Sequence, residues 1–358
     1  MEREKRRAER RTPGRRNLSR RFSPNRMVAV FVAAVITAVV IVAGAYPVMA
    51  RAGRVSAAKS QIREAAGEQE LYDSVSVIRM KQAVEADDYS AMTGMRSAAD
   101  ILIDADACKI IAAAGTAATG STPLYQTRIR PASMTKVLTL VTIVENLPAD
   151  WKSRTYTFNV DKLQYLVTGL NASLAGFLSG ETASAEDLMY GAILPSGADA
   201  VEGLVETFFP SEEDFMAKMN ETAQKIGMTN SHFTNPYGLD DPDLYSTPED
   251  IARLLQYAMH NSTCEEILTA RTYTTQVMSR HSEGLSFTSG AYAAMSGTDG
   301  MPGDVTYIGG KTGYTESGYS IVVMYLKNGH HYICVAANAK TDQDRNADVR
   351  DMLMNYAK

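Results

Sequence analysis

Hydrophobic and polar positions divide this chain into stretches of quite different character. Met27 to Tyr46 is almost wholly apolar and uncharged, twenty residues that suffice to span a hydrocarbon core as one helix. Residues 47–97 mix Ala, Glu, Lys and Ser, with sparse apolar positions at Leu71, Val75, Ile78 and Val84, which predicts a partly helical stalk. Globular patterning begins near Ala98. Ile101–Ile103 and Ile110–Ile111 read as two short strands around a turn at Asp104–Cys108. From Ser133 to Val144 runs a helix with no polar stripe, hence one buried on all sides. Helices are predicted from Ala185, over Asp199–Phe208 and Glu213–Ile226, and over Pro248–Met259, where a proline and acidic residues mark the start. Tyr307–Ile308, Ser320–Tyr325 and His331–Ala336 are β-branched, apolar and turn-separated, as in an antiparallel meander, and Arg345–Tyr356 closes as a helix. Strands, helices, strands and a final helix in that order predict an α/β (α+β) body whose first and last strands share one sheet.

Charge changes the picture at the front of the chain. The net charge of −5 combines +8 from residues 1–26, with eleven Lys/Arg against three Glu, and −13 from the rest. The basic tail precedes the apolar stretch, so the positive-inside rule places 1–26 in the cytoplasm, 27–46 in the membrane and the body outside. A cleaved signal peptide ending near Val48-Met49-Ala50 is the competing reading. The acidic body lacks the basic face that phosphate recognition needs, so nucleic acid is not expected as a partner. Cys108, Cys264 and Cys334 are odd in number and widely spaced, which predicts buried free thiols rather than a disulfide framework. His330-His331 beside Asn328-Gly329 reads as a hairpin turn rather than a ligand set, and neither metal nor cofactor is expected.

Candidate chemistry centres on Pro131-Ala132-Ser133-Met134-Thr135-Lys136, where Ser133 and Lys136 stand three apart and share a helix face. A lone Ser-x-x-Lys is common. Two later stretches give it partners: Ser196 in Leu194-Pro195-Ser196-Gly197-Ala198, and Lys311-Thr312-Gly313-Tyr314 after Gly309-Gly310. Gly310-Lys311-Thr312 is not the end of a phosphate loop, because that loop's first glycine would fall on Val305, and no G-x-S-x-G elbow is present. Ser196 could also serve as a helix N-cap.

These motifs, in this order, resemble the penicillin-recognising serine hydrolases. The resemblance extends over about Ala98–Ala357 to the serine-type D-alanyl-D-alanine carboxypeptidases, the low-molecular-mass penicillin-binding proteins of peptidase family S11. It includes Met219-Asn220 through Gly227-Met228, Phe233-Thr234-Asn235-Pro236-Tyr237-Gly238-Leu239 and Tyr245-Ser246-Thr247. It implies a β-lactamase/DD-peptidase-like fold, an antiparallel sheet flanked by helices plus a mostly helical subdomain, over residues 98–358. Relatives that continue into a β-rich domain and a C-terminal anchor differ here, so the N-terminal helix is expected to anchor the protein. The implied roles are Ser133 as acylated nucleophile, Lys136 as general base and Ser196 as proton relay to the leaving D-alanine. The amides of Ser133 and Tyr314 would form the oxyanion hole. Lys311 and Thr312 would hold the substrate carboxylate along a strand opened by Gly313, with Arg345 assisting. Burial and the Lys311 cation are both expected to depress Lys136.

The chain departs from the family pattern where Ala198 replaces an Asn, and near Ser289-Gly290-Ala291-Tyr292, where an Asn-containing segment is expected. The first loss removes an amide worth about 1–3 kcal/mol if its hydrogen bond counts in the reaction. The implied substrates are peptidoglycan stem peptides ending in D-Ala-D-Ala, with β-lactams as covalent inhibitors. A weakened pseudo-enzyme that binds penicillin or wall peptide is the alternative. A class A β-lactamase is disfavoured, since neither Ser-Asp-Asn nor Glu-x-x-Leu-Asn is found.

Overall fold

The computed structural model describes residues 89–115 and 123–358. The basic tail, the apolar stretch 27–46 and the stalk as far as residue 88 lie outside the described residues. Among the described residues no helix is long and apolar enough to cross a membrane.

In chain order the strands begin with β1 (Ser90–Ala91), β2 (Ala99–Asp104) and β3 (Lys109–Gly115). Next come helix α1 (Thr135–Glu145), β4 (Thr155–Thr157) and α2 (Val160–Gln164), which runs into a π-helical turn over Tyr165–Gly169. Then follow β5 (Thr182–Ser184), α3 (Ala185–Ile193), α4 (Ala198–Phe208), α5 (Glu212–Ile226), α6 (Pro248–Met259) and α7 (Ser262–Thr269). The last part holds β6 (Thr272–Thr274), β7 (Ser286–Thr288), α8 (Gly290–Ser296), β8 (Val305–Thr315), β9 (Gly318–Lys327), β10 (His330–Ala339) and α9 (Asp342–Asn355).

Six strands form one sheet in the order β1-β3-β2-β10-β9-β8. The expected union of the first and last strands occurs through antiparallel pairing of β10 with β2, Val335 opposite Ile101. The sheet is antiparallel except at one edge, where β1 joins β3 in parallel. Residues 89–97, expected as the end of the stalk, therefore belong to the folded body. Arg96 and Ser97 are tied to it as well, their amides and side chains converging on the buried Asp348 carboxylate of α9 at 2.7–3.1 Å. The Asn328-Gly329 turn forms as read, with both residues at positive φ of 52° and 84°.

Helices cover both faces of the sheet, so its central strands are buried on either side and read as continuous apolar runs rather than alternating ones. Ile101, Ile103, Val322, Ile333 and Val335 point into a core shared with α1 and α3 to α7. Leu102, Val323, Cys334 and Ala336 point the other way, against α8 and α9. The helices expected as a separate subdomain are continuous with the first of these cores. All three cysteines are free and buried.

Local signals explain most helix starts. Ser184 and Asp187 form a reciprocal capping box on α3, and Ser211, Thr247 and Thr341 cap α5, α6 and α9 through their side-chain oxygens. Gly227 ends α5 in the left-handed conformation that glycine adopts without cost. Helix α1 carries the site, and its residues Thr135 to Ile143 are all buried. Truncating Leu138→Ala at its centre is expected to cost ~2–5 kcal/mol, the usual range for a buried leucine cavity. Urea unfolding should show a lower midpoint with little change in slope.

Candidate active site

Ser133 does not sit in the α-helix itself. It occupies a 3₁₀ turn over Ala132–Met134 that leads into α1, so it caps nothing. Ala132 is held at φ +50°, a conformation that L-residues adopt sparingly and that persists only when neighbours enforce it. Two glycines do so. A Cβ on Gly238, itself at φ +78°, would fall 1.9 Å from the Ala132 carbonyl oxygen. A Cβ on Gly313 would meet the Ala132 Cβ at 2.8 Å and the Ser133 amide nitrogen at 3.1 Å. The Ser133 turn is thus gripped between the 233–239 segment and strand β8.

Lys136 projects back from the first turn of α1. Its Nζ lies 2.9 Å from Ser133 Oγ and donates to the Tyr237 carbonyl at 2.8 Å. Only 3 % of this lysine is exposed. Burial lowers its pKa to about 7, and the nearby Asp199 carboxylate opposes that shift. Near neutrality a substantial fraction of the amine is therefore unprotonated and able to accept the serine proton.

Lys311 on β8 is 2 % exposed, and its Nζ donates to the Thr312 carbonyl at 3.0 Å. Burial pushes its pKa well down, and the Lys136 ammonium adds to the effect. The sequence reading had the Lys311 cation depressing Lys136. In the structure desolvation governs both lysines, and the charge effect that adds to it is that of Lys136 on Lys311. Thr312 faces the start of α8, its Oγ1 3.0 Å from where a Cβ on Gly290 would stand. Gly290 N–H also donates to the Leu194 carbonyl at 3.1 Å, which joins the Ser196 turn to the start of α8. Tyr314 is 62 % exposed and its ring lies over Tyr319 at 4.5 Å.

Ser196 is not an N-cap. Gly197 takes that position on α4, while Ser196 stands at φ +67° with a buried Oγ that has no hydrogen-bond partner. Ala198, the departure from the family pattern, is a buried first residue of α4. Asp199 does not replace the missing amide. Its carboxylate accepts from the amides of Ala175, Gly176, Phe177 and Ala200 at 2.7–3.2 Å and so clamps the 175–177 loop. Arg345 is buried at the start of α9, where Nε and a terminal nitrogen donate to the Asn346 side chain. No contact ties it to Ser133, Lys136, Ser196 or Lys311 among the described residues.

Asp104, Asp106 and His330 do gather ligand atoms within 4.8 Å of one another. That group is largely exposed and its members are already paired, Asp106 with the adjoining His331 at 3.0 Å and Asp104 with His330 at 3.6 Å. It belongs to the end of β10 remote from Asn338, whose side chain bonds the Arg130 backbone near the nucleophile turn.

Sequence reasoning did not assign a role to Tyr237, Asn235 or Gly238. The Asn-Pro-Tyr-Gly run signalled a turn, but a main-chain carbonyl leaves no mark of its function in the residue type.

A family model for D-alanyl-D-alanine carboxypeptidases, Peptidase_S11, matches residues 81–341. The chain belongs to peptidase family S11. It is 30 % identical over 235 residues to the D-alanyl-D-alanine carboxypeptidase DacF of Bacillus subtilis, covering 63 % of this chain and 55 % of that protein. With DacC of Escherichia coli the identity is 31 % over 224 residues, covering 61 % and 52 %. The chain spans about half the length of these curated relatives. Among solved structures the Streptomyces K15 DD-transpeptidase superposes with a TM-score of 0.61 at 25 % identity, over 74 % of this chain and 97 % of that one. The S11 motifs quoted from the sequence fall on the turn, helix start and strand described above.

If neutral Lys136 is the base, acylation by penicillin should rise as pH increases through about 7 and level off above it. The sign follows from the lowered pKa, since the reactive form is the deprotonated one. Stopped-flow acylation from pH 5.5 to 9 checks this, and a rate that is flat across that range would exclude Lys136 as the titrating base.

Proposed function

We propose that this chain is a membrane-anchored serine D,D-carboxypeptidase that removes the terminal D-alanine from peptidoglycan stem peptides. The single observation that carries this reading is the 2.9 Å contact between Ser133 Oγ and a buried Lys136 amine with a pKa of about 7. In the proposed reaction Ser133 Oγ attacks the carbonyl of the penultimate D-alanine and passes its proton to Lys136 Nζ. The oxyanion would lie against the Ser133 amide, beside which the Gly313–Tyr314 stretch is packed. Collapse breaks the peptide bond, the leaving D-alanine amine takes up a proton by way of Ser196, and water then hydrolyses the ester. Lys311 and Thr312 would receive the substrate carboxylate. An arriving carboxylate restores the charge on Lys311 that burial suppresses. A β-lactam would enter by the same route and remain as an acyl-enzyme.

Anchoring rests on the apolar stretch 27–46 and the eleven basic residues before it, which support a single span with the catalytic body outside the cell membrane. A second reading, a protein that acylates readily but turns over little peptide, is favoured by Ala198 and by the unpartnered Ser196 hydroxyl.

The test is incubation of the full chain with a fluorescent penicillin and, separately, with a peptide ending in D-Ala-D-Ala. The expected outcome is covalent label and released D-alanine, both reduced to background in Ser133→Ala. Absence of serine-dependent label would defeat the proposal. Restoring the amide in Ala198→Asn is expected to raise peptide turnover by about tenfold, the equivalent of one recovered hydrogen bond. Label without release in the parent chain, with release gained in the variant, identifies the second reading.

A further inference from the structure

The 233–239 segment is held more firmly than a surface connection requires. Asn235 Oδ1 accepts from the amides of Tyr237, Gly238 and Leu239 at 3.2, 2.8 and 3.0 Å, and its Nδ2 donates to the Leu239 carbonyl at 3.0 Å. Thr139 Oγ1 donates to the Pro236 carbonyl at 2.7 Å from α1, the helix that also bears Lys136 three residues earlier. The Tyr237 phenol donates to Glu202, which Lys162 pairs at 2.7 Å. Each of these ties fixes the backbone on one side or the other of the Tyr237 carbonyl, the acceptor for Lys136.

Counting hydrogens shows what that carbonyl can do. A neutral lysine amine has two N–H bonds and one lone pair. A carbonyl oxygen only accepts, so the contact with Tyr237 must use an N–H. The lone pair is then free to face Ser133 Oγ 2.9 Å away, the orientation that lets it take the hydroxyl proton. An amine that could spin about its Cε–Nζ bond would present N–H to the serine part of the time, and a donor cannot serve as a base.

We propose that Asn235 is a positioning residue for acylation, gathering three amides on one oxygen so that the Tyr237 carbonyl turns the Lys136 lone pair toward Ser133. This rests on the reading of Ser133 and Lys136 given above. The test follows acylation of the full chain by fluorescent penicillin, recording the rate per labelled site, the fraction of sites labelled and the pH midpoint. Asn235→Ala should slow acylation about tenfold or more with the labelled fraction unchanged. Its pH midpoint should move down, because the ammonium form loses an acceptor. Asn235→Asp keeps an oxygen for the three amides and should recover most of the rate above its midpoint.

Thr139→Val removes the second tie without changing side-chain size, and should slow acylation in the same direction by a smaller factor. A lower labelled fraction with an unaltered rate and midpoint would mean that Asn235 only stabilises the fold, which overturns the proposal. If Asn235→Ala does not fold, an unaltered rate in Thr139→Val overturns it equally. A parent chain that takes no label sinks the functional reading and this one together. A parent that labels normally beside an unaffected Asn235→Ala sinks this one alone.

Discussion

Two neighbouring buried lysines, with no carboxylate in contact with either among the described residues, are the constraint around which the site is built. Moving an ammonium out of water is costly, and an ion pair would ordinarily offset it. Here Lys136 has a hydroxyl and a carbonyl as partners and Lys311 has a carbonyl, so burial is answered by a shift toward the neutral form. Asp199 supplies negative potential without surrendering its oxygens, because four backbone amides already occupy them. A carboxylate in direct contact would hold Lys136 charged. One at a remove leaves it poised near neutrality.

That poise depends on rigid supports. α1 is buried over nearly its whole length, so Lys136 cannot lower its desolvation cost by moving outward. Lys311 is fixed on β8, whose partner β9 lies inside the sheet. The Ser196 turn is strained, and Ala198 leaves the start of α4 without a polar side chain to share. The surroundings of the two lysines are therefore over-determined and the Ser196 turn is lightly furnished.

Much of the fold was legible because local chemistry and tertiary role agree. α6 began at Pro248 as read, since Thr247 caps it and acidic residues follow, and the three C-terminal strands paired in sequence. β1 escaped notice because two residues without apolar pattern owe their conformation entirely to β3. In the site, Ser133 and Lys136 were legible because three residues of separation across a helix start imply contact. The Ser196 turn misled for a related reason. A serine before a helix is usually its cap, whereas here the glycine after it takes that position and frees the hydroxyl. Tyr237 meets Lys136 through its backbone and Asn235 holds that backbone through three amides, so neither contact is written in a side-chain motif.

The double grip on the Ser133 turn bears on how the site is assembled. Ser-x-x-Lys is a local motif, but Gly238 and Gly313 reach Ala132 from more than a hundred and about one hundred and eighty positions along the chain. Loops of that length close late, because their entropy must be overcome before the contacts they bring can form. Ser133 and Lys136 are close in sequence, yet the unusual backbone at Ala132 can be enforced only once the 233–239 segment and strand β8 are in place. The geometry of the Ser133 turn is consequently a property of the finished topology rather than of the local motif.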